Sequence, residues 1–476
     1  MRTELLVDGQ WRPGRAGAFD VMDPATGATI ASVANGDLAD AGDAVAAADA
    51  AFAGWAATPA RDRSDILRRA FELMMRDADS LAELIAAENG KAVGDARSEV
   101  TYAAEFFRWF SEECVRSGGD YGPAPTGGSR TLVTHKAAGV AVLVTPWNFP
   151  AAMITRKVAP ALAAGCTAVL KPARETPLTA LAIAALLIEA GVPDGVLNVV
   201  PTTESRRVVA SWLADPRVRK VSFTGSTPVG QALLRLAADR VLNTSMELGG
   251  NAPFVVTDDA DLEAAVSGAM VAKFRSGGQA CTAANRFYVH ADVVDEFVDR
   301  LGAEVEKLSV GPARDGHDIG PLISPQAVIE VGALVEAAVA SGARISHIAG
   351  IPEGSAGNFY PPTLLTGVPH DAGVVREEIF GPVAPIVTWR DETELVAMAN
   401  DTEMGLAAYV YSDDLQRALR IAEAIDAGMV GVNRGIVSDP SAPFGGMKQS
   451  GIGREGARVG LEEFQETRYF SVGWSS

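Results

Sequence analysis

From residue 139 onward the chain keeps one rhythm, in which short β-rich runs alternate with helical segments. GVAVLVT, CTAVLK, VLNVV and VRKVSFT are interleaved with MITRKVAPALAAG, PLTALAIAALLIEAG, SRRVVASWLAD and PVGQALLRLAAD. Apolar runs this short, separated by helices, predict parallel strands joined by crossovers, which is a doubly wound α/β sheet. After Gly249-Gly250 the rhythm restarts. APFVV, NRFYVH, PIVTW, AAYVYS and MVGV alternate with helical segments at 261–275, 292–307, 324–340, 391–400 and 414–427. A second α/β domain is expected, with its boundary near residue 249.

Outside these two runs, residues 37–117 read as helices. In DRSDILRRAFELMMRD, Ile66, Ala70, Leu73 and Met74 fall on one stripe, with Ser64 expected as N-cap. The Gly- and Pro-rich stretch 118–129 reads as a loop and SRTLVTHK after it as a strand. The terminal EFQETRYFSVGW reads as another strand. A lone strand is not stable, so it is expected to pair with the 130–136 strand or with a neighbouring subunit.

With 476 residues the chain has room for about three domains of about 150 residues. Its 48% apolar and 21% charged residues exclude a disordered protein. Lys+Arg 41 against Asp+Glu 60 gives a net charge of −19, a field that repels nucleic acid and anionic membrane surfaces. An anionic ligand therefore needs a local cluster of basic residues. Cys114, Cys166 and Cys281 make no disulfide framework, which points to a reducing, cytoplasmic compartment. The opening MRTELLVDGQWRPG has no apolar core and does not read as a signal peptide. The most apolar stretch, 158–170, is broken by Pro160 and Gly165 and falls short of the ~20 residues that a bilayer span needs. The five histidines lie far apart, so no metal site is expected.

One motif is rejected. GIGREG (451–456) matches the G-x-G-x-x-G dinucleotide fingerprint, but it follows the loop APFGGMKQS rather than a strand, and too little chain remains for a βαβ unit.

The strand–helix rhythm places several polar residues in turns expected at the carboxyl ends of strands, where α/β folds bind ligands. They are Asn148 in TPWNFP, Lys171-Pro172-Ala173-Arg174, Thr224-Gly225-Ser226, Glu247 in MELGG, Cys281 in GGQACT, and Glu378 in EIFGP. Together with TAANR and PFGGMKQSG, in this order and from end to end, they resemble the aldehyde dehydrogenase superfamily.

The resemblance implies two doubly wound parallel-sheet domains plus a small β oligomerisation element. Residues 1–118 and 138–249 would bind the cofactor, with 450–463 returning to that domain. Residues 250–449 would form the catalytic domain, and 119–137 with 464–476 would build the element that pairs subunits into a dimer or tetramer. It also implies an aldehyde oxidised by NAD(P).

Cys281 would be the nucleophile, in a small polar loop that can expose a thiol and lower its pKa. Cys114 and Cys166 read as inert buried thiols. Asn148 would donate to the alkoxide together with the Cys281 backbone N–H, unless it only holds its turn. Glu247 would activate water to hydrolyse the thioester, unless it is a capping or salt-bridged carboxylate. Relatives that pass the acyl group to coenzyme A tend to lack a carboxylate there. Lys157 and Glu455 would assist proton movement or positioning; a surface lysine and a loop carboxylate are the alternatives.

For the cofactor, Lys171 would bond the adenosine ribose, Ser226 after Gly225 the pyrophosphate, and Glu378 the nicotinamide ribose with Phe380 packed beside it. Thr145, Trp147 and Ala173 complete the set. Arg174 departs from the Glu usual in NAD-preferring members. It could pair with a 2′-phosphate, so NADP is expected and NAD remains possible; a solvated arginine beside Glu175 is the alternative.

Arg156, Arg275 and Ser438 match the carboxylate-binding set of succinate-semialdehyde dehydrogenases, unless the arginines merely hold loops. The expected reaction is oxidation of an aldehyde with a distal carboxylate, foremost succinic semialdehyde. The alternatives are glutarate semialdehyde, a broad aliphatic or aromatic aldehyde specificity, or a non-catalytic binding protein on the same fold. Ala283 stands where redox-regulated relatives carry a second cysteine, which excludes a regulatory disulfide at that position. Arg434 is unlike the Glu or Thr expected and could add positive charge to the mouth of the site.

Overall fold

The computed structural model describes residues 1–351 and 357–474. Val140–Val144 and Thr167–Lys171 are buried at every position, as strands covered by helices on both faces must be. They sit at the centre of an eight-stranded sheet. Across it lie Gln10–Arg12, Leu5–Val7, Leu197–Val199, Thr167–Lys171, Val140–Val144, Val218–Thr224, Asn243–Glu247 and Gly451–Ile452. The five strands between Leu197–Val199 and Asn243–Glu247 run parallel; the flanking strands are antiparallel. Strand order reverses between Val140–Val144 and Val218–Thr224, and that switch point opens a crevice at their carboxyl ends.

The second sheet has seven strands, in the order Arg344–Ile348, Thr363–Thr366, Val383–Trp389, Ala284–His290, Ala252–Val256, Ala407–Tyr411 and Met429–Val432. Only its first pair is antiparallel. The fold is thus α/β with two doubly wound sheets, as the rhythm predicts.

The terminal strand Gln465–Gly473 pairs with Ser129–Ala137 of its own chain, from Gln465↔Ala137 to Gly473↔Ser129, and Asp120–Pro123 completes a three-stranded sheet. Residues 475–476 of the expected 464–476 element, and 352–356 of the 250–449 segment, lie outside the described residues.

Two local expectations fail. Ser64 is not an N-cap: the helix Ala60–Arg76 starts after Pro59, with Asp62 in its first turn, and Ser64 is buried inside it. Ala60 and Arg61 are good helix formers and Asp62 suits the positive end of the helix dipole, so the helix extends past the serine. The N-terminal strands Leu5–Val7, Gln10–Arg12, Ala18–Met22 and Thr29–Ala34 form two hairpins that the sequence reading did not see. Among the described residues no helix is long and apolar enough to cross a membrane.

Candidate functional site

Glu247 ends a strand of the first sheet, and five residues later Ala252 begins a strand of the second. The short ELGGN passage therefore turns the carboxyl ends of the first sheet toward the amino ends of the second. This corrects one expectation. Cys281 precedes Ala284–His290 and Glu378 precedes Val383–Trp389, so both stand at amino ends of strands. The site is built from opposite ends of two facing sheets.

The approach is close enough to need glycine. A Cβ on Gly250 would lie 2.2 Å from the Cys281 carbonyl oxygen. Gly278, at φ 73°, would put a Cβ 2.3 Å from the Gly381 oxygen, so the EIFGP segment rests directly on the turn before Cys281. Asp95 holds the same turn by accepting from Ser276 N–H at 2.6 Å.

Cys281 is half-buried in a cleft of about 140 Å³ that Tyr102, Phe149, Arg156, Arg275 and Ser438 also line. The structure thus brings together the nucleophile candidate and all three carboxylate-binding candidates. Burial pushes the Cys281 thiol up to about 12, and the nearby Arg156 charge offsets this only in part. The expectation of a lowered pKa is therefore wrong for the free protein: the loop is polar, but the thiol is desolvated.

Glu247 is 2% exposed, and neither carboxylate oxygen has a hydrogen-bond partner among the described residues. The capping and salt-bridged alternatives do not describe it. Burial, reinforced by the charge of Glu455, raises its pKa well above the ordinary range. Asn148 donates one Nδ2 hydrogen to the Gln279 carbonyl at 3.1 Å, which leaves its second N–H free to donate.

Arg156 and Lys157 share one acid. Arg156 Nε and Lys157 Nζ both donate to Glu455, the latter at 2.5 Å, and Lys157 also donates to Ser222 Oγ at 3.0 Å. All three are buried, so neither a surface lysine nor a solvated loop carboxylate describes this pair. Burial lowers the Lys157 pKa, whereas Arg156 and Lys157 outweigh burial and hold Glu455 below the usual carboxylate range. The Arg156 guanidinium lies 3.8 Å from the Phe444 ring centroid, and its Nη2 has no partner among the described residues.

On the switch-point side, Thr145 and Thr224 each carry a buried Oγ1 with no partner among the described residues. Lys171 ends its strand and donates to Ser205 Oγ at 3.0 Å; burial lowers it to about 8. Buried Ala173 follows, then Arg174, which is 64% exposed with Nε 3.8 Å from Glu175 Oε1, at the edge of a separate cavity of about 560 Å³. Gly225 N–H bonds the Glu247 carbonyl, and Ser226 opens the helix Thr227–Ala238 with its side chain free of a capping bond. Glu378 accepts from Gly250 N–H at 3.1 Å, and burial raises its carboxyl to about 7. Trp147 meets the Phe380 ring edge-on at 5.5 Å. Arg434 is exposed and lies outside the cleft lining.

Residues 11–470 match the Aldehyde dehydrogenase family. The chain belongs to that family. It is 48% identical over 475 residues to an NADP(+) succinate-semialdehyde dehydrogenase of Escherichia coli, covering 99% of this chain and 98% of the relative. It is 47% identical over 474 residues to a glutarate-semialdehyde dehydrogenase of Pseudomonas aeruginosa, covering 99% and 98%. A solved succinate-semialdehyde dehydrogenase from Burkholderia pseudomallei superposes with a TM-score of 0.97 at 47% identity, over 100% of this chain and 98% of that one. The protein is an NAD(P)-dependent aldehyde dehydrogenase.

Three polar residues around this aldehyde dehydrogenase's cleft escaped the sequence reading. Lys91 Nζ donates to Glu99 at 2.6 Å and to the Asn148 carbonyl at 2.7 Å, while the other Glu99 oxygen accepts from Ala151 and Ala152 N–H. This buried pair grips the loop that carries Asn148 from behind. Lys273, buried without a partner among the described residues, is lowered to about 7 by burial, with Glu378 the one charge opposing the shift. The available signal was spacing: Asp95, Ser98, Glu99 and Tyr102 form a polar stripe on a helix whose other buried positions are mostly apolar.

Proposed function

We propose that this enzyme oxidises succinic semialdehyde to succinate and prefers NADP. The observation that carries the reading is the cleft itself: two guanidinium groups and a hydroxyl, from Arg156, Arg275 and Ser438, share it with the Cys281 thiol. An aldehyde with a distal carboxylate can reach both ends, whereas an aliphatic aldehyde would leave the Arg275 guanidinium without a counter-charge.

Cys281 Sγ attacks the aldehyde carbon, and the remaining Asn148 N–H with the Cys281 backbone N–H receives the alkoxide. Cys281 attacks as the thiolate, and its proton leaves to solvent through the cleft, so that Glu247 still holds no proton when water arrives. When bound, the nicotinamide cofactor supplies the hydride acceptor that turns this adduct into a thioester on Cys281. Glu247 then takes a proton from water as it attacks the thioester carbon. The C–S bond breaks, releasing the acid and restoring the cysteine. The Glu455 carboxylate, fixed by Arg156 and Lys157, lies in range to tune Glu247.

The residues fit the cofactor. The unpartnered Thr145 and Thr224 hydroxyls, the uncapped helix start at Ser226 and the half-buried Glu378 carboxylate are groups that a dinucleotide would satisfy. Lys171 would take the adenosine ribose, Glu378 the nicotinamide ribose, with Trp147, Ala173, Gly225 and Phe380 in packing roles. Arg174 is exposed enough to meet a 2′-phosphate, and the Escherichia coli relative is named for NADP(+).

In this reading 1–118, 138–249 and 450–463 hold the cofactor and 250–449 the catalytic cysteine. The three-stranded sheet leaves Tyr121 63% and Tyr469 59% exposed, apolar area suited to pairing with a second copy in a cytoplasmic homo-oligomer. Glutarate semialdehyde is the second reading, favoured by the Pseudomonas aeruginosa relative, because the same clamp would hold a longer diacid aldehyde.

Arg275→Ala tests the clamp. Loss of a charge-assisted contact worth ~1.5–3 kcal/mol lowers kcat/KM for succinic semialdehyde roughly ten- to hundredfold and leaves butanal nearly unchanged. Equal losses on both aldehydes would reduce Arg275 to a structural role and remove the reading's main support.

A further inference from the structure

Tyr102 lines the cleft with a polar atom that makes no well-formed hydrogen bond. The Tyr102 hydroxyl is buried and has no hydrogen-bond partner of good geometry among the described residues. The ring itself is fixed: it packs edge-on against Phe106, with centroids 5.0 Å apart at 72°. Phenylalanine would fill that space equally well and would hide no polar atom. A phenol at such a place is tolerated where a ligand brings the missing partner.

The surroundings say which partner. Arg156, Arg275 and Glu455 are the charges near Tyr102, and the Ser438 hydroxyl is its polar neighbour; Arg156, Arg275 and Ser438, proposed to hold the substrate carboxylate, line the same cleft as Tyr102. Arg156 spends Nε on Glu455 and lays one face on Phe444, which leaves its Nη groups for a ligand. A carboxylate offers about four lone-pair sites, so a neutral hydroxyl can take one beside the two guanidinium groups and Ser438.

We propose that the Tyr102 hydroxyl donates a hydrogen bond to the distal carboxylate of the substrate, which makes Tyr102 a specificity-determining residue of this cleft. Burial keeps its pKa above that of a free phenol, so the group remains a donor at working pH. The inference rests on the semialdehyde reading above and adds a neutral donor to its clamp.

The test is Tyr102→Phe, which removes one oxygen and keeps the ring. KM for succinic semialdehyde should rise about tenfold, equivalent to about 1.4 kcal/mol, with kcat changed less than twofold. Product inhibition by succinate should weaken by the same factor, and kcat/KM for butanal should stay within twofold. An unchanged KM and succinate inhibition, or an equal loss on butanal, overturns the proposal. The wild type serves as the control for the underlying reading. If it prefers succinic semialdehyde and Tyr102→Phe keeps that preference, only the Tyr102 assignment falls. If it shows no preference over butanal, the clamp reading falls and takes this assignment with it.

Discussion

Two arginines are proposed to read anions at opposite ends of one site, and they are built differently. Arg156 is 2% exposed, ion-paired to Glu455 and stacked on Phe444; Arg174 is 64% exposed and has only Glu175 nearby, at 3.8 Å. A buried, oriented guanidinium acts through low dielectric and fixed geometry. An exposed one acts through a screened charge on a flexible stem. Recognition at the aldehyde end should therefore be steep and insensitive to salt, and recognition at the adenosine end graded and salt-dependent.

The largest effect tests whether the aldehyde end is where chemistry occurs. Cys281→Ala should reduce turnover to background while cofactor affinity changes less than about twofold, because the two ends are separate. Glu247→Gln should lower steady-state turnover by about 10²–10⁴ and leave a burst of reduced cofactor as thioester accumulates. Normal turnover without a burst would remove Glu247 as the base.

Arg156 and Arg275 divide the aldehyde end further. Arg156→Met removes one of the two cations that hold Glu455 and leaves the carboxylate on Lys157 alone, so the melting temperature should drop by a few degrees. Arg275 is half-buried and pairs with no carboxylate among the described residues, so Arg275→Ala should leave melting within about a degree or two.

At the other end, Arg174→Glu should move the NADP-to-NAD preference by about one to two orders of magnitude, through the cofactor KM, and raising salt should shrink the shift. A preference unmoved by the substitution would leave Arg174 in solvent. The smallest effect is a pH response. Glu378 accepts ribose hydroxyls only as a carboxylate, and its raised value of about 7 means that this form is lost as pH falls through neutrality. The cofactor KM should therefore rise below about pH 7, by at most tenfold per unit. Glu378→Gln should flatten that limb.

The two ends also differed in how much of them could be read in advance. Strand–helix alternation exposed both sheets, and Lys171, Thr224 and Ser226 fell where turns after strands were expected. Periodicity alone puts Cys281 and Glu378 at the wrong strand ends, because it carries no information on how two sheets face each other. That is decided by the ELGGN passage. The N-terminal hairpins were missed because strands of three to six residues hold too few alternations to show a period. The polar local sequence around Cys281 does not reveal its packing against the core cluster that includes Phe444 from a distant segment. Lys91–Glu99 escaped for the same reason, since a Lys and a Glu eight positions apart read as surface charges until the fold closes over them.

The carboxylate clamp carries the proposed function, and one measurement tests it most directly: the wild-type kcat/KM ratio of succinic semialdehyde to butanal, with NADP as cofactor. The two guanidinium groups predict a ratio of about 10² or more, since each charge-assisted contact contributes roughly ten- to hundredfold. A ratio near one would mean that the arginines of the cleft recognise no substrate carboxylate, and would contradict the proposed function.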